Sequence, residues 1–231
     1  MKIGILTAMD SEHDQLASLL ENKKERVCGN SSYLYGTLGA HEIVLYACGI
    51  GKVNAAVGAV ELIRRFEPDC MVSTGVAGGI DTCLGVMDVV VSTQTVYHDM
   101  WCGPGNAYGQ VQGMPERFEG CEKLWQTAKN LNTETRIHAG LICTGDKFIT
   151  DRAELNTIKT AFPEGLAVDM ESAAIAQTCY LLNVPFVSFR IISDTPGVEQ
   201  HLEQWDNFWG EMADCSFGVT RTFLMSLPEN L

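Results

Sequence analysis

Pro185-Phe186-Val187-Ser188-Phe189-Arg190-Ile191-Ile192 reads as a buried strand, and it delivers Ser193-Asp194 at its end. Just upstream, Leu166-Ala167-Val168 delivers Asp169-Met170-Glu171 in the same manner. Two apolar segments that each end in acidic groups point to an α/β sheet with a ligand crevice, because open sheets of that class bind ligands at strand ends. Such acids also cap the helix that follows a strand, so a structural role stands beside the functional one.

Working outward, strand and helix alternate. Residues 2–8 form a strand, and Ser11 is expected to cap a helix whose apolar face uses Leu16, Leu19 and Leu20. Tyr33–Leu38 and Glu42–Cys48 read as two strands joined through a short Gly39-Ala40-His41 connection. Gly49-Ile50-Gly51-Lys52 then turns into an Ala-rich helix ending near Arg64-Arg65-Phe66. Strands follow at Asp69–Thr74, ending at Gly75-Val76-Ala77-Gly78-Gly79, and at Met87–Val96, leading to Tyr97-His98-Asp99. From Trp101 to Phe118 periodicity dissolves into Gly, Pro, Asn and aromatics, so that loop needs the body, a ligand or a second subunit to hold it. A helix near 120–130, the strand Ile137–Thr144, a loop at Gly145-Asp146-Lys147-Phe148 and a helix from near Asp151 come next. The strand 166–168, a helix from Glu171 to Leu182, the strand 186–192 and a helix from about Asp206 to Ser226 complete the chain. The pattern predicts one α/β domain over residues 1–231, a three-layer sandwich with a mixed central sheet.

The 231 residues suit a single ordinary domain. A formal charge of -13, from 16 Lys+Arg against 29 Asp+Glu, disfavours nucleic acid or an anionic membrane as partner. Nine cysteines, an odd number without a CxxC, are expected to be free structural thiols. The first strand begins at once after Met1, and no 18-residue apolar span occurs, so a soluble protein of the reducing cytoplasm is expected.

Several familiar motifs fail on spacing. Gly49-Ile50-Gly51-Lys52 lacks the Ser or Thr that follows the lysine of a phosphate loop and the third glycine of a dinucleotide fingerprint. It reads as a turn, or as a loop that brings backbone close to a ligand. His98-Asp99 with Cys102 supplies one local imidazole, too little for zinc. No nucleophile elbow accompanies the Ser, His and Asp residues of a hydrolase triad.

Three acids remain at element boundaries: Glu12, Glu171 and Asp194. MKIGILTAMDSE (1–12), GIGKVNAA (49–56), STGVAGG (73–79), YHD (97–99), YGQ (108–110), GDKFI (145–149), AVDMESAAIA (167–176) and VPFVSFRIISD (184–194) span nearly the whole chain. Together they resemble the 5'-methylthioadenosine/S-adenosylhomocysteine nucleosidases, a branch of the nucleoside phosphorylase superfamily. The resemblance implies the nucleoside phosphorylase sandwich, a homodimer, no metal or organic cofactor, and hydrolysis of the N-glycosidic bond of 5'-methylthioadenosine, S-adenosylhomocysteine and 5'-deoxyadenosine with release of adenine. It further implies that Glu12 activates the water attacking C1', that Glu171 holds the ribose hydroxyls and that Asp194 engages adenine N7. Phe148 is expected to stack on the base, the Ile149 backbone to read its edge, and Ser193 to steady Asp194. Met9 and Met170 form walls, Ile50 and Val76-Ala77-Gly78 join the substrate-binding set, and Trp205 stands where the family places an aromatic lid. Arg190 pairs either with a pocket carboxylate or in a structural salt bridge.

The chemistry fits those roles. Adenine leaves poorly as an anion, so a proton shared at N7 by Asp194 draws the glycosidic electrons into the ring; such an acid is expected to have a raised pKa. An ionised Glu171 stabilises the cation-like sugar more than the substrate. Glu12 accepts a proton from water on the opposite face, the two-carboxyl arrangement of inverting glycoside hydrolysis.

The chain departs from the family at Val76, where many members carry Ser, which alters affinity rather than the carboxylate set. The loop bearing Trp101, Cys102, Pro104, Tyr108 and Pro115 is one residue shorter than in some members, and an apolar wall there suits a thioether. Two enzymes of the same fold remain as alternatives, a purine nucleoside phosphorylase and a futalosine or aminofutalosine hydrolase. A nucleoside sensor without catalysis is a third.

Overall fold

The computed structural model describes residues 1–195, 203–204, 207–208 and 213–231. Every strand in it belongs to one mixed sheet of ten strands flanked by helices. In chain order these are β1 (Lys2–Thr7), α1 (Asp10–Leu19), β2 (Glu21–Cys28), β3 (Ser31–Leu38), β4 (His41–Ala47), α2 (Lys52–Phe66), β5 (Cys70–Gly79), β6 (Val89–Tyr97), β7 (Phe118–Glu119), α3 (Glu122–Lys129), β8 (Ile137–Thr144), α4 (Arg152–Ala161), β9 (Gly165–Asp169), α5 (Ser172–Leu182), β10 (Phe186–Asp194) and α6 (Ala213–Ser226). The expected α/β sandwich is present. One apolar cluster joins Ile3, Ile5 and Val72 to Leu16, Leu124 and Phe223 of α1, α3 and α6, and another joins Leu6 and Met71 to Ala55, Leu62 and Ala173 of α2 and α5. Helices therefore bury both faces of the central strands, which explains why β5 and β10 are apolar nearly throughout.

The sheet also closes on itself. β10 pairs with β5 in parallel and with β6 antiparallel, β6 and β9 flank β8, and β9 returns to β5, while β1, β4, β3 and β2 extend outward from β5. β9 meets β5 only through Gly78↔Val168 and Gly79↔Ala167, so the C-terminal ends of those antiparallel strands converge. That convergence brings the segment after β9 to the same place as the ends of β1, β5 and β10.

Three local expectations need correction. β2 has no apolar alternation to announce it: nearly all of Glu21–Cys28 is exposed, and it forms a charged edge strand. β5 runs through the glycines to Gly79 rather than stopping at Thr74, because the segment pairs with β10 and β9. α1 begins at Asp10 with Met9 as its N-cap, so Ser11 lies inside the first turn. Cys28, Cys48, Cys70, Cys83, Cys102, Cys121, Cys143 and Cys179 are free thiols; the Cys215 side chain lies outside the described residues. No helix among the described residues is long and apolar enough to cross a membrane.

The 101–118 loop is tied to the body. The Tyr108 hydroxyl donates to the His98 carbonyl at 2.7 Å, its ring packs on Phe162, and the Gly109 N–H donates to the Met100 carbonyl. Trp101 nevertheless remains 61% exposed.

Candidate active site

A cavity of about 420 Å³ opens where these strand ends meet, within the range of ligand pockets. Met9, Glu12, Ile50, Val76, Gly78, Phe148, Met170, Glu171, Arg190 and Asp194 line it, so ten expected residues from distant parts of the chain come together. Ile149 lines a small adjoining recess with Phe148 and Asp194. Ser193 and Ala77 act from behind: the Ser193 hydroxyl lies 2.5 Å from Asp194 Oδ1 and 3.4 Å from the Ala77 carbonyl. Trp205 lies outside the described residues. Phe148 is half-exposed at the cavity edge rather than buried in the core.

Glu12 reaches the cavity from the first turn of α1. Its Oε2 accepts the Ala8 and Met9 N–H groups at 2.9 and 3.1 Å, and Oε1 accepts the Val76 N–H at 3.0 Å. Val76 thus serves through its backbone, which a Ser-to-Val difference leaves intact. Close approach of β5 is essential here. Gly75 has φ +149, and a Cβ on it would lie 2.2 Å from Glu12 Oε1 and 2.9 Å from Arg190 Nη1.

The strand-end acids after β9 divide the two roles that their local pattern left open. Asp169 accepts the Ser172 N–H at 3.2 Å, the Ser172 hydroxyl in a shorter contact and the Thr144 hydroxyl at 2.6 Å, so it fastens the start of α5. Glu171 occupies the N-cap position of α5 but makes no capping bond; its Oε1 accepts the Gly51 N–H at 2.9 Å instead. The GIGK segment is therefore a loop that brings backbone to a carboxylate. Its Lys52 is bound to Asp99 at 2.7 Å and lies 3.7 Å from Asp146, tying together the YHD and GDKFI segments.

Arg190 is wholly buried, 2.9 Å from Asp169 and 3.4 Å from Glu171, with Ser73 Oγ accepting at 2.9 Å. Both earlier readings of this arginine hold at once, since one partner is structural and the other lines the pocket. Three carboxylates face one guanidinium, so not all can be ionised cheaply. Burial pushes Glu12 above its ordinary value, against the opposing pull of Arg190 and its three N–H donors. Burial likewise pushes Glu171 up to about 7, with Arg190 opposing and Asp169 assisting. Burial disfavours the Arg190 charge, but Asp169, Glu171 and Glu12 outweigh it and raise its pKa. A raised pKa beside the cavity suits Glu12 to accept a proton.

Ala8, Gly51, Gly75, Val168 and Asp169 belong to the site or support it although they stand outside the expected set. All of these but Val168 and Asp169 lie in the MKIGILTAMDSE, GIGKVNAA and STGVAGG segments, and those two lie in AVDMESAAIA, which was the available signal; Ala8 and Val168 contribute backbone or apolar wall, which residue type does not announce. Among the described residues, no group of three or more His, Cys, Asp and Glu is arranged to hold a metal ion.

Comparison with known proteins extends this geometry. The model of the phosphorylase superfamily matches residues 2–225. A 5'-methylthioadenosine/S-adenosylhomocysteine nucleosidase of Anoxybacillus flavithermus is 44% identical over 206 residues, covering 87% of this chain and 89% of the relative. One from a Geobacillus species is 39% identical, covering 99% of this chain and 100% of the relative. Among solved structures, the Streptococcus pneumoniae nucleosidase with the transition-state inhibitor MT-ImmA superposes with a TM-score of 0.92 at 37% identity, covering 99% of this chain and 100% of that one. The Colwellia psychrerythraea nucleosidase in complex with adenine gives 0.93 at 35% identity, covering 100% and 97%.

Proposed function

The chain belongs to the 5'-methylthioadenosine/S-adenosylhomocysteine nucleosidases of the phosphorylase superfamily, and from that membership we propose the reaction and the part each residue plays in it. The enzyme hydrolyses the N-glycosidic bond of 5'-methylthioadenosine and S-adenosylhomocysteine, and of 5'-deoxyadenosine, to adenine and the 5-substituted ribose. The observation that carries this reading is a buried Glu12, fixed by three N–H donors in a cavity shared with Asp194 and Glu171.

Phe148 stacks on adenine, and the Ile149 backbone reads its edge from the adjoining recess. As the C1'–N9 bond breaks, its electron pair enters the purine and Asp194, steadied by Ser193, supplies the proton at N7. Glu171 accepts hydrogen bonds from the ribose hydroxyls and stabilises the cation-like sugar. Water bonds to C1' from the other face and gives its proton to Glu12. Side chains and water suffice for this sequence of steps.

A phosphorolytic alternative is disfavoured by charge. Arg190, the cation among the residues lining the cavity, is already engaged by Asp169 and Glu171, so a phosphate dianion there would face carboxylates. In phosphate-free buffer the enzyme is expected to release adenine together with free 5-methylthioribose. A requirement for phosphate, with ribose 1-phosphate as product, refutes the assignment.

The same reading makes the enzyme a homodimer of the cytoplasm, a reducing compartment that suits its free thiols. Val53 and Val57 stand one turn apart on α2, 75% and 58% exposed, and α2 packs on α5, which exposes Tyr180 and Leu181. Ile50 is exposed at the start of the same face while also lining the cavity, so a second copy seated there would cover the cavity mouth. Sedimentation equilibrium should give twice the 25.3 kDa chain mass; a monomer at micromolar concentration argues against this assembly.

A further inference from the structure

We propose that Asp169 is a positioning residue that holds the Arg190 guanidinium away from Glu171, leaving the Glu171 carboxylate available to the sugar hydroxyls. The inference rests on the ribose-binding role given to Glu171 above. Asp169 is buried and saturated: Thr144 Oγ1 donates to Oδ1 at 2.6 Å, the Ser172 hydroxyl and N–H reach Oδ2, and Arg190 Nη2 lies 2.9 Å from that same oxygen. A carboxylate so anchored cannot follow the arginine, so the arginine must come to it.

Hydroxyl acceptors hold the guanidinium in place as well. Ser73 on β5 accepts from Nη2 at 2.9 Å, and Nε faces the Ser188 and Ser172 hydroxyls at 3.3 and 3.4 Å, themselves 2.7 Å apart. Ser188 is in turn held by a backbone bond from its N–H to Ser92 Oγ at 2.8 Å. Glu171 is left with the longer 3.4 Å contact to Arg190 and the Gly51 N–H. The charged and titratable groups facing Glu171 are Arg190 from β10, Asp169 from β9, Glu12 from α1 and the Cys48 thiol after β4. Asp169 acts on Glu171 twice: it claims the counter-ion, and its own charge repels the neighbouring carboxylate.

Asp169→Asn removes the charge and keeps most of the shape. Arg190 then has Glu171 as its nearest anion, so Glu171 should ionise at lower pH while being drawn off the sugar. The direct reading is the Glu171 side-chain carboxyl followed by carbon-13 NMR in the ligand-free protein, its signal assigned by its disappearance in Glu171→Gln. The midpoint is expected to fall by about one pH unit or more, equivalent to about 1.4 kcal/mol per unit. The acid limb of kcat/KM for 5'-methylthioadenosine should move the same way, with kcat/KM at pH 7.5 falling about tenfold or more through misplacement.

Asp169→Glu, which restores the charge, should return the midpoint toward that of the native protein; if it does not, the charge-based account is wrong. Should Asp169→Asn fail to fold, Asp169→Ser also removes the charge and must lower the midpoint. An unchanged Glu171 midpoint in either folded neutral variant overturns the proposal. Because the NMR midpoint requires no substrate, it fails independently of the reaction: a native enzyme that released no adenine would instead overturn the functional reading.

Discussion

Glu12→Gln is expected to lower kcat on 5'-methylthioadenosine by about 100-fold or more, the scale on which removal of a general base is felt. Gln retains the size of Glu but cannot take a proton from water. It also meets an unfavourable hydrogen-bond pattern, because both Glu12 oxygens accept backbone N–H groups, from Ala8 and Met9 on one side and Val76 on the other. An amide offers one oxygen and one NH2, so either orientation sets donor against donor. A modest loss of thermal stability should therefore accompany the large loss of turnover, while the far-UV circular dichroism of the fold is preserved. Near-native kcat in a folded variant would remove Glu12 from the proton-accepting role.

Arg190→Met is expected to destabilise the protein by about 3–5 kcal/mol, the usual cost of removing one partner from a buried ion pair. For a chain of this length that corresponds to a fall in Tm of about 10 °C. Glu12, Asp169 and Glu171 would be left around an apolar side chain with no guanidinium among them. The pH dependence has a defined sign. Glu12 and Glu171 have folded pKa values above the ordinary 4.5, so the native state binds more protons than the unfolded chain, and stability is lost as pH rises through that window. Removing Arg190, which lowers both, raises them further. The gap in Tm between Arg190→Met and the native protein should therefore widen from pH 5 to pH 8. A gap independent of pH would mean that packing, rather than charge, accounts for the loss.

How much of this was legible in the sequence depended on how local each signal was. β8 at Ile137–Thr144 and the helix beginning at Lys52 were readable almost to the residue, because apolar runs and glycine boundaries are written in adjacent positions. β2 was invisible: a strand with solvent on nearly all of its residues needs no apolar alternation and is specified by its pairing with β3. The start of α1 lies two residues before the expected one because its first turn is organised by the Glu12 carboxylate rather than by Ser11.

The site divides along the same line. By itself the sequence determined that acids stand at strand ends, that the chain is of the α/β class and, through its motifs, which acids to compare with those of known nucleosidases. Local pattern alone did not separate Asp169 from Glu171, which stand in the same context; it was the resemblance that singled out Glu171 for the sugar. The tertiary structure supplied the physical basis, by closing β9 against β5 and placing Arg190 nearer to Asp169 than to Glu171. It likewise placed the Val76 N–H on Glu12 from 64 residues away, where Gly75 leaves room for the contact. The physical reason is that a carboxylate's work is set by its desolvation and by the charges within a few ångströms of it. Those are properties of neighbours in space, which a linear pattern does not carry.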